Sequence, residues 1–278
     1  TAIGTAHHGL AVDPQGLDID LALRLAANGE SLATLTALPA PVDAFELLRL
    51  SHADVLFENT PVNYHTGQPA LSYLRAALGL GMHAITANKG PVVHGYQELT
   101  ALAAQRGRKF FFESAVMDGA PIFSLFRQAL PTAQLLAFHG ILNSTTNLIL
   151  GRMEAGESLE QAIAYAQSIG IAETDPSGDV DGWDAAVKVA ALVTVLMGIP
   201  WLPEQVERCG IRAITPQDVI AARQQGQRWK LVCTARREGR GVQARVAPQR
   251  VSPDSPLYGV EGTSSIVTFE TDVLSQLS

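Results

Sequence analysis

A chain of 278 residues that is 47% hydrophobic and 17% charged can bury a substantial core, which excludes a disordered chain and leaves room for one large domain or two ordinary ones. The net charge of −7, with no basic run longer than the pair Arg236 and Arg237, argues against nucleic-acid and anionic-membrane surfaces and for a small soluble substrate. Cys209 and Cys233 lie in different segments without metal-ligand spacing and read as reduced thiols, and no apolar run nears the ~18 residues of a membrane span, so the expected compartment is the cytoplasm.

In chain order, residues 52–57 (HADVLF) read as a buried strand that ends in the polar turn Glu58-Asn59-Thr60-Pro61. A helix is expected over 69–78, stopped by Gly79 and Gly81, and a short strand over 83–86 leads into TANKGP at 86–91. Residues 96–106 predict a helix and 109–113 (KFFFE) a third strand. This alternation points to parallel strands with crossover helices, a partial doubly wound nucleotide-binding domain over residues 1–112.

The character changes after 113. Strands are expected at 135–142 and 265–270, a capped helix at 158–169 and a long apolar helix at 182–197. Residues 229–236 and 242–247 flank Glu238-Gly239-Arg240-Gly241, an antiparallel hairpin pattern. Residues 113–278 therefore read as a separate α+β domain, which makes the whole chain α/β. One signature is missing: no G-x-G-x-x-G opens a helix after a strand, so composition alone gives little reason to expect a nicotinamide cofactor.

Four stretches carry chemistry. GIAETDPSGDVDGWDAAVK, 170–188, holds five carboxylates and one lysine, with Asp184 and Lys188 one turn apart on one helix face. A carboxylate beside an ammonium holds it charged and aimed, as general-acid work requires. On spacing alone, the pair reads rather as an exposed ion pair worth about 0.3–0.5 kcal/mol, plus a helix cap. ESAVMDGAPI, 113–122, offers Glu113 and several carbonyls, which suits a cation or simply a tight turn. HGILNSTTNLIL, 139–150, leads polar Asn143 to Asn147 into a helix, which suits a substrate carboxylate or ordinary capping. Lys89, beyond a strand's C-terminal end, suits a ligand contact or a solvated surface. His52, His65, His83 and His139 receive no role.

TANKGP, GILNSTTN and AETDPSGDVDGWDAAVK, in this order and spacing, resemble homoserine dehydrogenases over nearly the whole chain. The resemblance implies interconversion of L-homoserine and L-aspartate 4-semialdehyde with NADP or NAD, in threonine and methionine biosynthesis, by a homodimer associating through the later strands. It implies Lys188 as the proton-transfer residue, with Asp184 beside it. Glu173, Asp179 and Thr145 are then substrate-binding, with Glu173 on the amino group. Thr60 and Lys89 are then cofactor-contacting, and a sodium site is formed by Glu113 with the carbonyls of Val116, Asp118 and Ala120.

Ser144 stands where the family commonly has glycine, and Asp118 replaces a small residue. Residues 1–4 resemble the family's second strand, so the resemblance implies that the Gly-rich loop and a C-terminal return segment lie outside this sequence. Residues 5–8 carry no acid for an NAD ribose, which leans toward NADP. Two other readings stand beside this one. The chain is a non-catalytic relative or fragment keeping the substrate and dimer domain, or it is a dehydrogenase of another semialdehyde. The Glu173 to Lys188 motif separates it from dehydrogenases with a cysteine nucleophile.

Overall fold

Parallel strands cannot be joined by a tight turn, so each needs a crossover, and helical patterns between the short apolar runs supply it. The computed structural model describes residues 1–37 and 39–278. The chain divides into two compact units, each described by itself: Thr1–Val62, Gln68–Pro91 and Gly95–Phe112 form the first, and Asn63–Gly67, Val92–His94 and Glu113–Ser278 the second. A single linear cut at 112/113 does not foresee the two short segments that pack with the second unit.

In the first unit, β1 (Ala2–Thr5) and β2 (Gly9–Val12) form an antiparallel hairpin, Ala2 opposite Val12. Helices α1 (Ile19–Ala27) and α2 (Ala44–Ser51) follow, capped by Asp18 and Asp43, whose side chains accept N–H groups of the first turn. Then β3 (Val55–Glu58), α3 (Ala70–Gly79), β4 (His83–Thr86), α4 (Lys89–Gln105) and β5 (Phe110–Phe111) give a three-stranded parallel sheet in the order β3-β4-β5.

Four expectations change here. Residues 1–4 pair with β2 in a sheet separate from the parallel strands. The strand expected at 52–57 starts at Val55, because His52 takes a left-handed conformation (φ 48°) that closes α2. It is also not buried: Val55 is 37% and Phe57 67% exposed, two alternate residues on one face of the strand. Helix α4 starts two turns earlier than its apolar periodicity suggests. Asn88 caps it by accepting the Gly90 N–H at 3.0 Å, and Pro91 falls in the first turn, where its missing N–H costs no helical bond. The strand expected at 109–113 shortens to Phe110–Phe111, because Glu113–Ala115 turn into a 3-10 helix.

In the second unit, α5 (Ile122–Ser124) continues into a π-helical turn at Leu125–Ala129. After it come β6 (Leu135–Ile141), α6 (Ser144–Glu154), α7 (Leu159–Ser168), α8 (Ser177–Val180), α9 (Trp183–Leu196), β7 (Glu207–Arg208), α10 (Pro216–Gln224), β8 (Arg228–Glu238), β9 (Gly241–Val251) and β10 (Ile266–Thr271). The strands form one sheet in the order β10-β6-β8-β9-β7, with β8 and β9 an eleven-residue hairpin from Arg228 opposite Val251 to Glu238 opposite Gly241. Ser158 and Gln161 close a reciprocal capping box on α7.

Helix α9 is apolar round most of its circumference, interrupted on one face by Asp184 and Lys188, and that is why it is buried: Ala185 to Val193, apart from Lys188, are withdrawn from water and pack on β8 and β9. Fully burying each of its larger aliphatic side chains contributes about 1.5–3 kcal/mol. The sheet's residues alternate, so its other face is polar. His139, Thr234, Arg236, Gln243, Thr268 and Glu270 line an open depression of about 430 Å³ there. Among the described residues, no helix is long and apolar enough to cross a membrane.

Candidate active site

Helix α9 brings Asp184 and Lys188 onto one face, with Asp184 Oδ2 2.9 Å from Lys188 Nζ. Their side chains are only 11% and 17% exposed. The solvated surface pair that spacing alone allows is therefore not what forms. The Lys188 ammonium also donates to the Leu142 carbonyl at the end of β6, at 2.8 Å, which fixes two of its three N–H groups. Burial works against the charge. The field and hydrogen bond of Asp184, together with weaker neighbouring fields such as that of Asp179, more than offset it, and the Lys188 pKa lies above the ordinary lysine value.

Asn143 ties three elements to this pair. As the cap of α6, its Oδ1 accepts both the N–H and the hydroxyl of Thr146 at 2.8 Å. Its amide nitrogen donates to Asp179 Oδ1 at 2.6 Å and to Asp184 Oδ2 at 3.0 Å. The polar run 143–147 is thus a helix cap and at the same time the clamp that holds two acidic groups beside Lys188. Thr145 donates to the Ile171 carbonyl at 3.3 Å, with Asp179 close enough to feel its hydroxyl. Burial, helped by the charge of Asp184, raises the Asp179 pKa above the usual range against the pull of Asn143 and Thr145. Gly210 supports α8 at close range. A Cβ there would lie 2.2 Å from the Val180 carbonyl oxygen and 2.6 Å from the Asp181 Cα.

Glu173 is exposed, in a loop whose carbonyls at Glu173 and Thr174 accept the Gln167 side-chain amide at 3.0 and 3.1 Å. Tyr64, which sequence reading missed, connects it to the rest. Its hydroxyl pKa is raised by burial and then by the charges of Asp184, Asp179 and Glu173. Nothing local in Asn63-Tyr64-His65 signals this, because the carboxylates it meets lie far along the chain.

Lys188, Asp184, Asp179 and Thr145 are thus brought together, with Glu173 at the margin. Cys233, buried near Lys188, has its thiol pushed up to about 12 by burial, against the opposing Leu142 hydrogen bond and Lys188 charge. It is therefore a neutral thiol and no nucleophile. Both cysteines are free.

Thr60 and Lys89 belong to the first unit, at the C-terminal ends of β3 and β4, where open α/β sheets take their ligands. The Thr60 N–H and hydroxyl both donate to buried Glu58 at 2.6 Å, and the Thr86 hydroxyl donates to the other Glu58 oxygen at 2.7 Å. The Asn88 side chain donates to the Thr60 carbonyl at 3.0 Å. Glu58, Thr86 and Asn88 thereby fix both strand ends, with Lys89 as the first residue of α4. The Thr60 and Thr86 hydroxyl hydrogens are spent on Glu58, so what this end of the unit offers a phosphate-bearing dinucleotide is the N-terminus of the seventeen-residue α4, which begins at Lys89.

The sodium set named from the sequence fits less well. Both Glu113 oxygens are taken by the N–H groups of Phe123 and Ser124 at 2.7 and 3.1 Å and by the Ser124 hydroxyl at 2.5 Å, and the Arg127 guanidinium stands 3.7 Å away. The Ala120 carbonyl accepts the Ile122 N–H at 2.8 Å, Val116 is buried and Asp118 points to an exposed surface. Donors and a guanidinium already meet the charge of Glu113, so this arrangement does not fit a cation. No group of three His, Cys, Asp or Glu side chains able to hold a metal occurs among the described residues.

Comparison with known proteins gives one answer. The family model described as homoserine dehydrogenase matches residues 121–278. The chain is 36% identical over 273 residues to an NAD(+)-dependent homoserine dehydrogenase of Pseudomonas canavaninivorans, covering 97% of this chain and 77% of that protein. It is 34% identical over 274 residues to a homoserine dehydrogenase of Methanocaldococcus jannaschii, covering 98% of this chain and 80% of that protein. The crystal structure of a homoserine dehydrogenase from Thiobacillus denitrificans superposes with a TM-score of 0.79 at 31% identity, over 94% of this chain and 57% of that one.

Proposed function

The chain belongs to the homoserine dehydrogenase family, and from that premise we propose that it interconverts L-homoserine and L-aspartate 4-semialdehyde in the cytoplasm. The observation that carries the proposal is the buried Lys188 ammonium, held between Asp184 and the Leu142 carbonyl beside the Asn143–Asp179 clamp.

A nicotinamide cofactor, when bound, supplies or accepts the hydride at C4 of the substrate. The residues of this chain do the rest. Lys188 gives its proton to the oxygen that becomes the alcohol as the aldehyde is reduced, and takes it back in homoserine oxidation. Asp184 keeps that lysine charged between turnovers. Glu173 binds the substrate ammonium, and Asp179 and Thr145 complete the substrate contacts. Thr60 and Lys89 contact the cofactor. In this reading residues 1–112 serve the cofactor, and residues 113–278 bind substrate and dimerise through the open polar face of the second sheet. NAD is favoured over NADP, because the Pseudomonas relative is named as NAD(+)-dependent, against the absence of an acid for the NAD ribose at residues 5–8.

The retained Lys188, Asp184 and Glu173 favour this reading over a non-catalytic relative. Cys233, the cysteine beside Lys188, is a neutral thiol and does not supply the thiolate that a cysteine-dependent semialdehyde dehydrogenase would need at this site. The test is L-homoserine-dependent NADH or NADPH formation by the full chain, followed by absorbance. Formation of reduced cofactor with L-homoserine, and none without it, is expected. A chain that binds neither L-homoserine nor nucleotide would overturn the proposal.

A further inference from the structure

Tyr64 belongs to the short segment Asn63–Gly67, which follows β3 in sequence yet packs with the second unit. Independent contacts within that unit hold the segment. The His94 Nε2–H donates to the Tyr64 carbonyl at 2.9 Å. The His65 ring packs edge-on against Trp183 at 5.4 Å and donates from Nδ1 to Glu204 at 3.2 Å, while the Arg208 guanidinium lies 3.9 Å from the Trp183 ring centre. Trp183 is the first residue of α9, directly before Asp184. The segment is thus pinned to the helix that carries Asp184 and Lys188.

The phenol itself is fixed by what lies beneath it. Gly178 precedes Asp179, and a Cβ at 178 would come within 3.3 Å of the Tyr64 hydroxyl oxygen. Glycine there leaves room for the ring against α8. The hydroxyl is half-buried and feels the charges of Asp184, Asp179 and Glu173. A phenol in such a place stays protonated. Its hydrogen is drawn to a carboxylate, and its oxygen lone pairs are left for a positively charged group. None of the proton-transfer chemistry proposed above uses it.

We propose that the Tyr64 hydroxyl forms part of the subsite for the substrate α-ammonium, accepting one N–H beside Glu173 and selecting amino-acid alcohols over their deamino analogues. This rests on the homoserine reading given above. It deepens that reading, because it adds a selectivity element from a segment that lies outside the substrate domain in linear sequence. Because these contacts hold the Tyr64 backbone and its neighbour His65 before ligand arrives, the hydroxyl adds discrimination with little ordering cost.

The test compares wild type and Tyr64→Phe, in the full chain, by titration calorimetry with L-homoserine and with 4-hydroxybutanoate, the same carbon chain without the amino group. Matched thermal midpoints for the two proteins establish that the variant is folded. The expected result is a Kd for L-homoserine raised roughly tenfold or more, the loss of one hydrogen bond to a charged group, with the Kd for 4-hydroxybutanoate unchanged. Equal weakening of both ligands, or an unchanged Kd for L-homoserine, would overturn the proposal. Wild type that binds no L-homoserine would remove the homoserine reading itself, and this subsite with it.

Discussion

Asp184 precedes Lys188 by one helical turn and meets its ammonium at 2.9 Å, in a part of α9 where both side chains are largely withdrawn from water. Burial disfavours the charged lysine, and Asp184, together with weaker neighbouring fields such as that of Asp179, more than offsets it. At neutral pH the lysine is therefore a loaded proton donor, suited to aldehyde reduction. Homoserine oxidation needs the neutral amine and should accelerate as pH rises into the alkaline range.

Asp184→Asn keeps the shape and removes the charge. The Lys188 pKa then falls, and the pH profile for L-homoserine oxidation moves to lower pH, while reduction at neutral pH slows. Initial rates across pH in both directions check this. An unmoved alkaline limb in the variant would show that the limb does not report Lys188.

Asp179 gives a stability prediction of defined sign. Its folded pKa is raised above the ordinary aspartate value, chiefly by burial. The folded state therefore favours the protonated acid. This contribution is fully present below the unfolded pKa and is lost as pH rises through the folded one. Asp179→Asn should raise the thermal midpoint at neutral pH, and the gain should shrink as pH falls toward the ordinary aspartate range. Melting curves over that window decide it, and a gain that grows on acidification would contradict the assignment.

Asn143→Ala removes the α6 cap together with the two donors to Asp179 and Asp184. The cap is worth about 1 kcal/mol, and leaving Asp179 without its Asn143 donor adds about 1–3 kcal/mol, while Asp184 keeps its Lys188 partner. Denaturant unfolding should show a loss on the order of 2–4 kcal/mol in total. Asn143→Asp should be worse at neutral than at acidic pH, because it sets a third carboxylate against the other two.

The sequence made much of this legible, for identifiable reasons. The apolar periodicity of α9 and the Gly182 and Gly198 around it located the helix that carries Asp184 and Lys188, and the i, i+4 spacing put them on one face. Spacing could not say that the face is buried, because burial is set by β8 and β9, contributed from later in the chain. The capping role of Asn143 was readable from its place before an apolar helix, but its two acidic partners were not. The start of α4 was missed because Gly90 and Pro91 suggest a loop until the Asn88 cap is seen. Tyr64 left no trace at all in its neighbours. The Glu113 set shows the opposite limit: the motif is present, yet Phe123, Ser124 and Arg127 have taken the carboxylate a cation would need.

The central claim is that Lys188 moves the proton, and Lys188→Ala tests it most directly, through kcat for L-aspartate 4-semialdehyde reduction measured beside the Kd for NADH. The account predicts a kcat lower by about two to four orders of magnitude, the usual worth of positioned proton transfer, with the NADH Kd little changed. A variant that keeps near-wild-type kcat while still binding NADH would contradict it.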